Sequence, residues 1–369
     1  MGISDRLKYG RERAKLTGAQ VHERTGIGES SLSEFENGKR EPSIRQLQSL
    51  ADAYQCSIAF FLSTGTIPRE VVLWRDRPPE AEAIEGKFLR LCEQYHNLEI
   101  WCSDRAPQRL PQAQGDPHSY GYPDAEALAR RVRNELQLGD HPGPALLSVL
   151  EETCGIKVFF MPFQPTGPAA STVSETFGAA VLLNSLNRRW RRHFDLAHEL
   201  FHLLTWNIFR SASNGTSTTL AGDEEQLAGC FARNLLMPVD AFRTAVNKRM
   251  KNGKVSFEAI FDIAREFDVS VEALLWQFHM IYRGPEDRAL TEQEIERAKT
   301  LVPLYKESEE STPPPCLPAR YHALGVRALR RGEMSTGRFA EYLGITRQEA
   351  MQYVEQETGD NEEIQVAPA

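Results

Sequence analysis

The sequence predicts a mainly α-helical chain with one α+β segment: a helical bundle first, a mixed domain in the middle, a short helical module last. Three observations carry this. Apolar residues recur at helical spacing along most of the 369 residues, whereas only two short runs, at 156–160 and 177–183, read as strands. Hydrophobic residues make up 41%, enough for more than one packed core. Stretches rich in proline and charge, near residues 64–124 and 284–316, break the chain.

Residues 1–63 form the first segment. One helix ends at Gly26, a turn carries Ile27, and a second helix runs from Glu29 to Glu36, stopped by Asn37-Gly38 and Pro42. Val21, Ile27, Leu32, Phe35, Leu47 and Leu50 supply its core. Residues 64–124 hold the stretch Arg75-Asp76-Arg77-Pro78-Pro79, a helix over 80–102 and a Pro/Gln/Gly-rich connection, and read as a linking region. In 125–283, helices over 125–137 and 146–154 precede the strand 156–160 and the strand 177–183, which ends at Asn184. An edge strand beside the site would hold substrate backbone by strand addition. Residues 284–316 read as a charged helix and a stiff linker, Ser311-Thr312-Pro313-Pro314-Pro315. Residues 317–356 form a second helix-turn-helix-like module, with Ser335 as a cap and a turn at Gly344-Ile345-Thr346; the polar tail 357–369 is expected to be disordered.

The chemistry centres on His198-Glu199-Leu200-Phe201-His202. Histidines four apart lie on one face of a helix, so their imidazoles can converge on one metal ion. Glu199 is placed to take a proton from an attacking water. Phe194, Leu196, Ala197, Leu200, Phe201, Leu203 and Leu204 make this helix a buried one, where a polar His and Glu are costly without a role. A third ligand is expected from the helix that starts near Asp223 and ends at Pro238. Glu225 is the candidate, because it flanks the apolar face; Glu224 and Asp223 compete but are expected on the solvated side or at the helix start. His193 and Cys230 fall off the metal face and read as structural, although His193 has the option of approaching an oxyanion. No serine triad or phosphate loop competes for the chemistry.

Three strings, VLLN ending at Asn184, RRHFDLAHELFHLL and EEQLAGCFARNLLMP, resemble the zinc peptidase domain of the ImmA/IrrE family over residues 125–280. The departures are Leu227 and Gly229, where the family usually has Glu and Asn. The resemblance implies a zincin-like fold and one Zn2+ per chain on His198, His202 and Glu225, with Glu199 catalytic. It also implies an endopeptidase that cuts a helix-turn-helix repressor and so derepresses stress, mobile-element or defence genes.

Residues 5–62 resemble the lambda-repressor-like (XRE) helix-turn-helix family. Ser30, Ser31, Ser33, Lys39 and Arg40 are the candidate contacts to DNA or a partner. The DNA-facing pattern departs from the family: Gly18 stands where a phosphate-binding Gln is common, and Glu29 and Glu34 where polar or basic residues are. Carboxylates facing a duplex repel phosphate. The module therefore reads either as a duplex binder or as a protein-docking or dimerising surface. In the last segment Arg320, Arg327, Arg330 and Arg331, with Tyr321 and His322, read either as a solvated face or as a contact for a ligand such as single-stranded nucleic acid.

A net charge of −8 excludes a protein that coats nucleic acid nonspecifically. Six scattered cysteines without a C-x-x-C pair suit a reducing cytosol. The start lacks a signal core and no run is long enough for a membrane span, so a cytoplasmic protein without a membrane partner is expected. The other reading of the whole chain is a noncatalytic DNA-binding regulator or antitoxin with a structural or vestigial metal site. Glu199 discriminates, since a structural site has no use for a base there.

Overall fold

The computed structural model describes residues 2–14, 16–54, 56, 58–62, 71–105, 110–211, 221–282 and 313–359. The expected charged helix over 284–310 and the tail beyond 359 lie outside these. The chain divides into two compact units: Met1–Val71, Pro79–Asn97 and Ser174–Phe177 form one, and Val72–Pro78, Leu98–Val173 and Gly178–Ala369 the other.

In the first unit α1 (Ile3–Arg13), α2 (Gly18–Thr25), α3 (Glu29–Glu36), α4 (Ile44–Tyr54) and α5 (Ile58–Leu62) form a small bundle. Local chemistry sets its helix ends. The Thr17 hydroxyl accepts from the Gln20 amide and the Gln20 side chain accepts from the Thr17 amide, a capping box for α2. Gly26 ends α2 at φ 71°, a conformation that favours glycine. The six expected core residues are all buried, joined by Leu7, Leu16, Ala51, Tyr54 and Phe61. A forked pair of Arg11 with Glu36, at 2.6 and 2.9 Å, ties α1 to α3.

In the second unit a four-stranded mixed sheet has the order β1-β3-β4-β2. Here β1 is Val72–Trp74, β2 Lys157–Met161, β3 Ala169–Ser174 and β4 Gly178–Asn184. Strands β2 and β4 run parallel, with Lys157 opposite Ala180 and Met161 opposite Asn184. Strand β1 pairs antiparallel with β3, Val72 opposite Thr172. The two strands expected from sequence are β2 and β4; β1 and β3 are additions. Strand β1 is three residues long, and β3 (AASTVS) is small and polar, so neither shows an alternating apolar pattern. The 64–124 region thus supplies a strand as well as a link. The sheet edges are β1 and β2, and β2 is covered at one point, where the Phe160 amide donates to the Cys316 carbonyl at 3.1 Å.

Helix α6 (Ala81–Trp101) precedes α7 (Tyr122–Glu135) and α8 (Gly143–Glu152). After β4 come α9 (Arg189–Leu204), α10 (Trp206–Ser211), α11 (Ala221–Leu236), α12 (Val239–Arg249), α13 (Phe257–Phe267) and α14 (Val271–Ile281). Helix α9 packs on β4, α8 and α11, and α11 packs in turn on α7.

The last three helices are α15 (Ala319–Arg330), α16 (Thr336–Leu343) and α17 (Arg347–Gly359). Ser335 caps α16 through the Arg338 amide, and Gly344 ends it at φ 65°. The basic stripe considered as a ligand face is instead largely committed to the protein. Arg320 binds Glu99 at 2.8 Å and Asp104 at 3.0 Å, Arg327 binds Asp104 at 2.5 Å, and Arg331 donates to the Cys102 carbonyl at 2.8 Å. Arg330 lies on the exposed side of α15. Tyr321 is fully buried and donates to the Tyr342 carbonyl. These contacts fasten the helices to residues 99–104.

Glu99 is shared between Arg320 and Lys157, whose ammonium lies 3.0 Å away. Both Glu99 and Lys157 are almost completely buried, at 4% and 3% exposure. Removing one member of such a group leaves buried charge without compensation and costs about 3–5 kcal/mol. Glu99→Ala is therefore expected to lower the stability of the full chain by that amount in urea unfolding. A loss below ~1 kcal/mol, the value for an exposed pair, would show that the group is effectively solvated.

Candidate metal centre and nucleic-acid interface

Helix α9 begins after Arg188 in extended backbone, and from Asp195 to Leu204 every residue is buried. His198 and His202, one turn apart, point their Nε2 atoms at the same place, 3.3 Å from each other. Glu225 on α11 meets them there, with Oε2 2.9 Å from His198 and Oε1 3.3 Å from His202. Among the described residues these three are the one group of ligand-type atoms close enough to hold a metal ion. Glu225 keeps 37% of its side chain exposed, so the cluster opens to solvent on the α11 side.

Glu224 departs from the expectation of a solvated position. It is buried, with Oε1 2.8 Å from His202 Nδ1, and its other oxygen accepts from Arg210. A carboxylate on Nδ1 keeps the proton there and leaves the Nε2 lone pair for a metal. Sequence spacing points one acid of the Asp223-Glu224-Glu225 run inward; neighbours about 100° apart on a helix can both point inward when the facing helix is broad.

Electrostatics follow from this packing. Burial works against charge on His202, yet the Glu224 and Glu225 carboxylates outweigh it and raise its pKa to about 10, so a metal would bind Nε2 by displacing its proton. Burial lowers His198 to about 4. Glu225 falls to about 2, because its contacts with His198 and His202 overcome its own burial. Glu199 is fully enclosed, and burial lifts it to about 7. Among the described residues neither Glu199 oxygen makes a well-formed hydrogen bond, although the Ser171 hydroxyl lies near enough to pull its pKa down, and His198 Nδ1 is buried without a hydrogen bond. An unpartnered buried carboxylate costs several kcal/mol unless something polar completes it. Two imidazoles, one carboxylate and this spare base fit a catalytic metal with a water beside it.

Asp195, one turn before Glu199, was not singled out by sequence. It is completely buried and binds Arg75 at 3.0 Å, Arg191 at 2.9 Å and the Asn187 side chain at 2.9 Å. Burial raises it to about 6 against the pull of both arginines. Its polarity within the buried run was the available signal. Asn184 closes the end of β4 by donating to the Phe163 carbonyl at 2.7 Å. His193 Nδ1 lies 2.8 Å from Asp268, which gives it a structural partner rather than a place at the metal cluster. Cys230 is buried beside Asn234.

In the first unit Ser30, Ser33, Lys39 and Arg40 are exposed on or just after α3, and Ser31 is half-buried. Arg40 lies 3.4 Å from Glu34 and over the Phe35 ring. The Glu29 carboxylate sits against Gly18 at the start of α2, where a Cβ would meet Oε2 at 3.1 Å. A fixed negative charge thus stands at a helix N-terminus, the position that otherwise favours an anion.

Residues 151–279 match the family model of the IrrE N-terminal-like domain, and residues 7–61 match that of a helix-turn-helix domain. The chain therefore has the ImmA/IrrE architecture, a helix-turn-helix domain ahead of a domain of a metallopeptidase family. No curated protein matches the chain. Among solved structures, a Mycobacterium tuberculosis transcriptional regulator aligns at 16% identity over 53% of this chain and 54% of its own, with a TM-score of 0.35. Bacillus thuringiensis PlcR, in complex with the peptide PapR7 and DNA, aligns at 12% identity over 98% and 99%, with a TM-score of 0.17. The chain spans about half the length of the first.

Two outcomes are expected. Elemental analysis of the full chain finds about one metal ion per chain, lost in His202→Ala, whereas Glu224→Gln weakens binding about 10–100-fold without abolishing it. For the first unit, Glu29→Gln and Glu34→Arg each tighten duplex binding by the full chain, and Glu34→Arg steepens its salt dependence. Tight, sequence-specific binding by the unmodified chain would contradict the weight given to these carboxylates.

Proposed function

We propose that the chain is a zinc-dependent endopeptidase that cleaves a helix-turn-helix transcriptional repressor, and so derepresses stress, mobile-element or defence genes. The observation that carries the reading is Glu199: a fully buried carboxylate that no cation or imidazole holds in a well-formed hydrogen bond among the described residues, set between two histidines whose Nε2 atoms converge with Glu225. A structural metal site gains nothing from it, whereas hydrolysis needs a base there.

His198, His202 and Glu225 would hold the zinc, which when bound supplies Lewis acidity to the site. Glu199 takes the proton of the attacking water and returns it to the leaving amine. Burial raises its pKa above the ordinary carboxylate value, the direction that favours carrying the proton between water and leaving amine. Glu224 and Arg210 hold His202 in the tautomer that offers Nε2. Asp195, clamped by Arg75 and Arg191, fixes the turn of α9 from which Glu199 projects. The helix-turn-helix domain would dock the repressor, itself of the same kind, or bind DNA near it. A cytoplasmic setting is supported by six free cysteines, and no described helix is long and apolar enough to cross a membrane.

The second reading, a noncatalytic DNA-binding regulator, draws on the helix-turn-helix match. The discriminating experiment incubates the metal-loaded chain with helix-turn-helix proteins encoded beside it, with and without chelator. Cleavage is expected and is stopped by chelation. Glu199→Gln should retain the metal and lose at least about 100-fold in rate. Cleavage by that variant at the parental rate would remove Glu199 from the chemistry.

A further inference from the structure

Strand β3 puts one polar side chain on an apolar face. Positions 169, 171 and 173 of a strand point the same way. Ala169 belongs to the core that also holds Leu196, Ala197, Leu200 and Leu203 of α9, and Val173 packs against that core. Ser171 stands between them with no exposed surface. Its backbone lies within the sheet, opposite Leu73 of β1 and with β4 on the other side. Its hydroxyl makes no well-formed hydrogen bond among the described residues. A buried hydroxyl in that state costs about 1–3 kcal/mol, and alanine would fill nearly the same space without the cost. Packing alone gives the oxygen at 171 no use.

The hydroxyl has a carboxylate within reach. It acts on Glu199 as a hydrogen-bond donor, favouring the ionised form. Both groups are buried, and neither is engaged in a well-formed bond elsewhere among the described residues. Other groups that act on Glu199 are committed: Asp195 to Arg75, Arg191 and Asn187, and His202 to Glu224 and Glu225. A serine hydroxyl needs only rotation about its own torsions to aim its proton.

We propose that Ser171 is a positioning residue for the catalytic base: its hydroxyl donates to one oxygen of Glu199 and so turns the other oxygen toward the attacking water. The last torsion of a glutamate is broad, and one donated bond fixes the plane of the carboxylate. A neutral donor suits the task. A lysine or arginine in its place would hold the carboxylate as an ion and weaken it as a base. The bond also persists after the proton is taken up, because a protonated carboxyl keeps acceptor capacity. The role rests on the peptidase reading.

Ser171→Ala removes a single oxygen and tests the role in the metal-loaded full chain. On the helix-turn-helix protein that the chain cleaves, kcat is expected to fall about 10–100-fold, the worth of a hydrogen bond to a charged group, with KM held within about twofold. Metal content and the urea unfolding midpoint are expected to hold, which separates the effect from misfolding. The same substitution made on top of Glu199→Gln should cost no further rate, since its effect runs through Glu199. A readout without turnover comes from infrared difference spectra at alkaline pH. Subtracting the Glu199→Gln chain isolates the Glu199 carboxylate band, and that band is expected to shift in the Ser171→Ala background. A parental kcat in Ser171→Ala, an equal loss in the Glu199→Gln background, or an unshifted band overturns the role and leaves the peptidase reading standing. No cleavage by the unmodified metal-loaded chain overturns both.

Discussion

The site depends on the way two consecutive carboxylates of α11 bracket one imidazole of α9. Glu224 takes His202 Nδ1 at 2.8 Å, and Glu225 reaches Nε2 of the same ring at 3.3 Å. Neighbours on a helix diverge by about 100°, so only one rotation of α11 about its axis satisfies both contacts. The apolar packing of Leu200, Leu203, Leu204, Ala228, Phe231 and Leu235 supplies the burial that holds the helices together. The polar pair selects one register of that packing, because any other would leave buried acids without partners. At the far end of the motif Asp195, held by Arg75, Arg191 and Asn187, stops α9 from rotating. Glu199 stands between these anchors with neither oxygen in a well-formed hydrogen bond among the described residues, which leaves it available to a substrate water.

The legible parts of this arrangement are those written locally. Two histidines at i and i+4 on a buried helix announce the site, because a helix has one geometry and a buried imidazole needs a reason. The caps at Thr17 and Ser335 and the stops at Gly26 and Gly344 also follow from residues within one turn. The less legible parts are long-range. Arg75 meets Asp195 across 120 residues of sequence, and β1 and β3 gain their strand character from pairing rather than from pattern. The Glu224 placement needed the position of the facing helix, which a helical wheel does not contain. The arginines of α15 read as a basic surface because their counter-charges, Glu99 and Asp104, sit more than two hundred residues earlier.

The two domains carry opposite electrostatic logic. At the metal cluster, Glu224 and Glu225 are matched to two imidazoles and Arg210 so closely that Glu199 stands out. In the helix-turn-helix domain, Glu29 faces the start of α2 and Glu34 engages Arg40, so negative charge stands beside the exposed serines expected to meet a partner. Such a surface suits a protein with basic groups to offer better than a phosphate backbone. A repressor's DNA-reading face is of that kind, the partner proposed above for the first domain.

The central claim is that His198, His202 and Glu225 hold a metal ion with a position left open for chemistry. X-ray absorption at the zinc edge of the purified full chain tests it most directly. A shell of nitrogen and oxygen only is expected, with multiple-scattering features of two imidazoles and at least one light-atom ligand that is displaced when a hydroxamate is added. A sulfur shell, a closed shell that the hydroxamate leaves unchanged, or an identical spectrum from His202→Ala would contradict it.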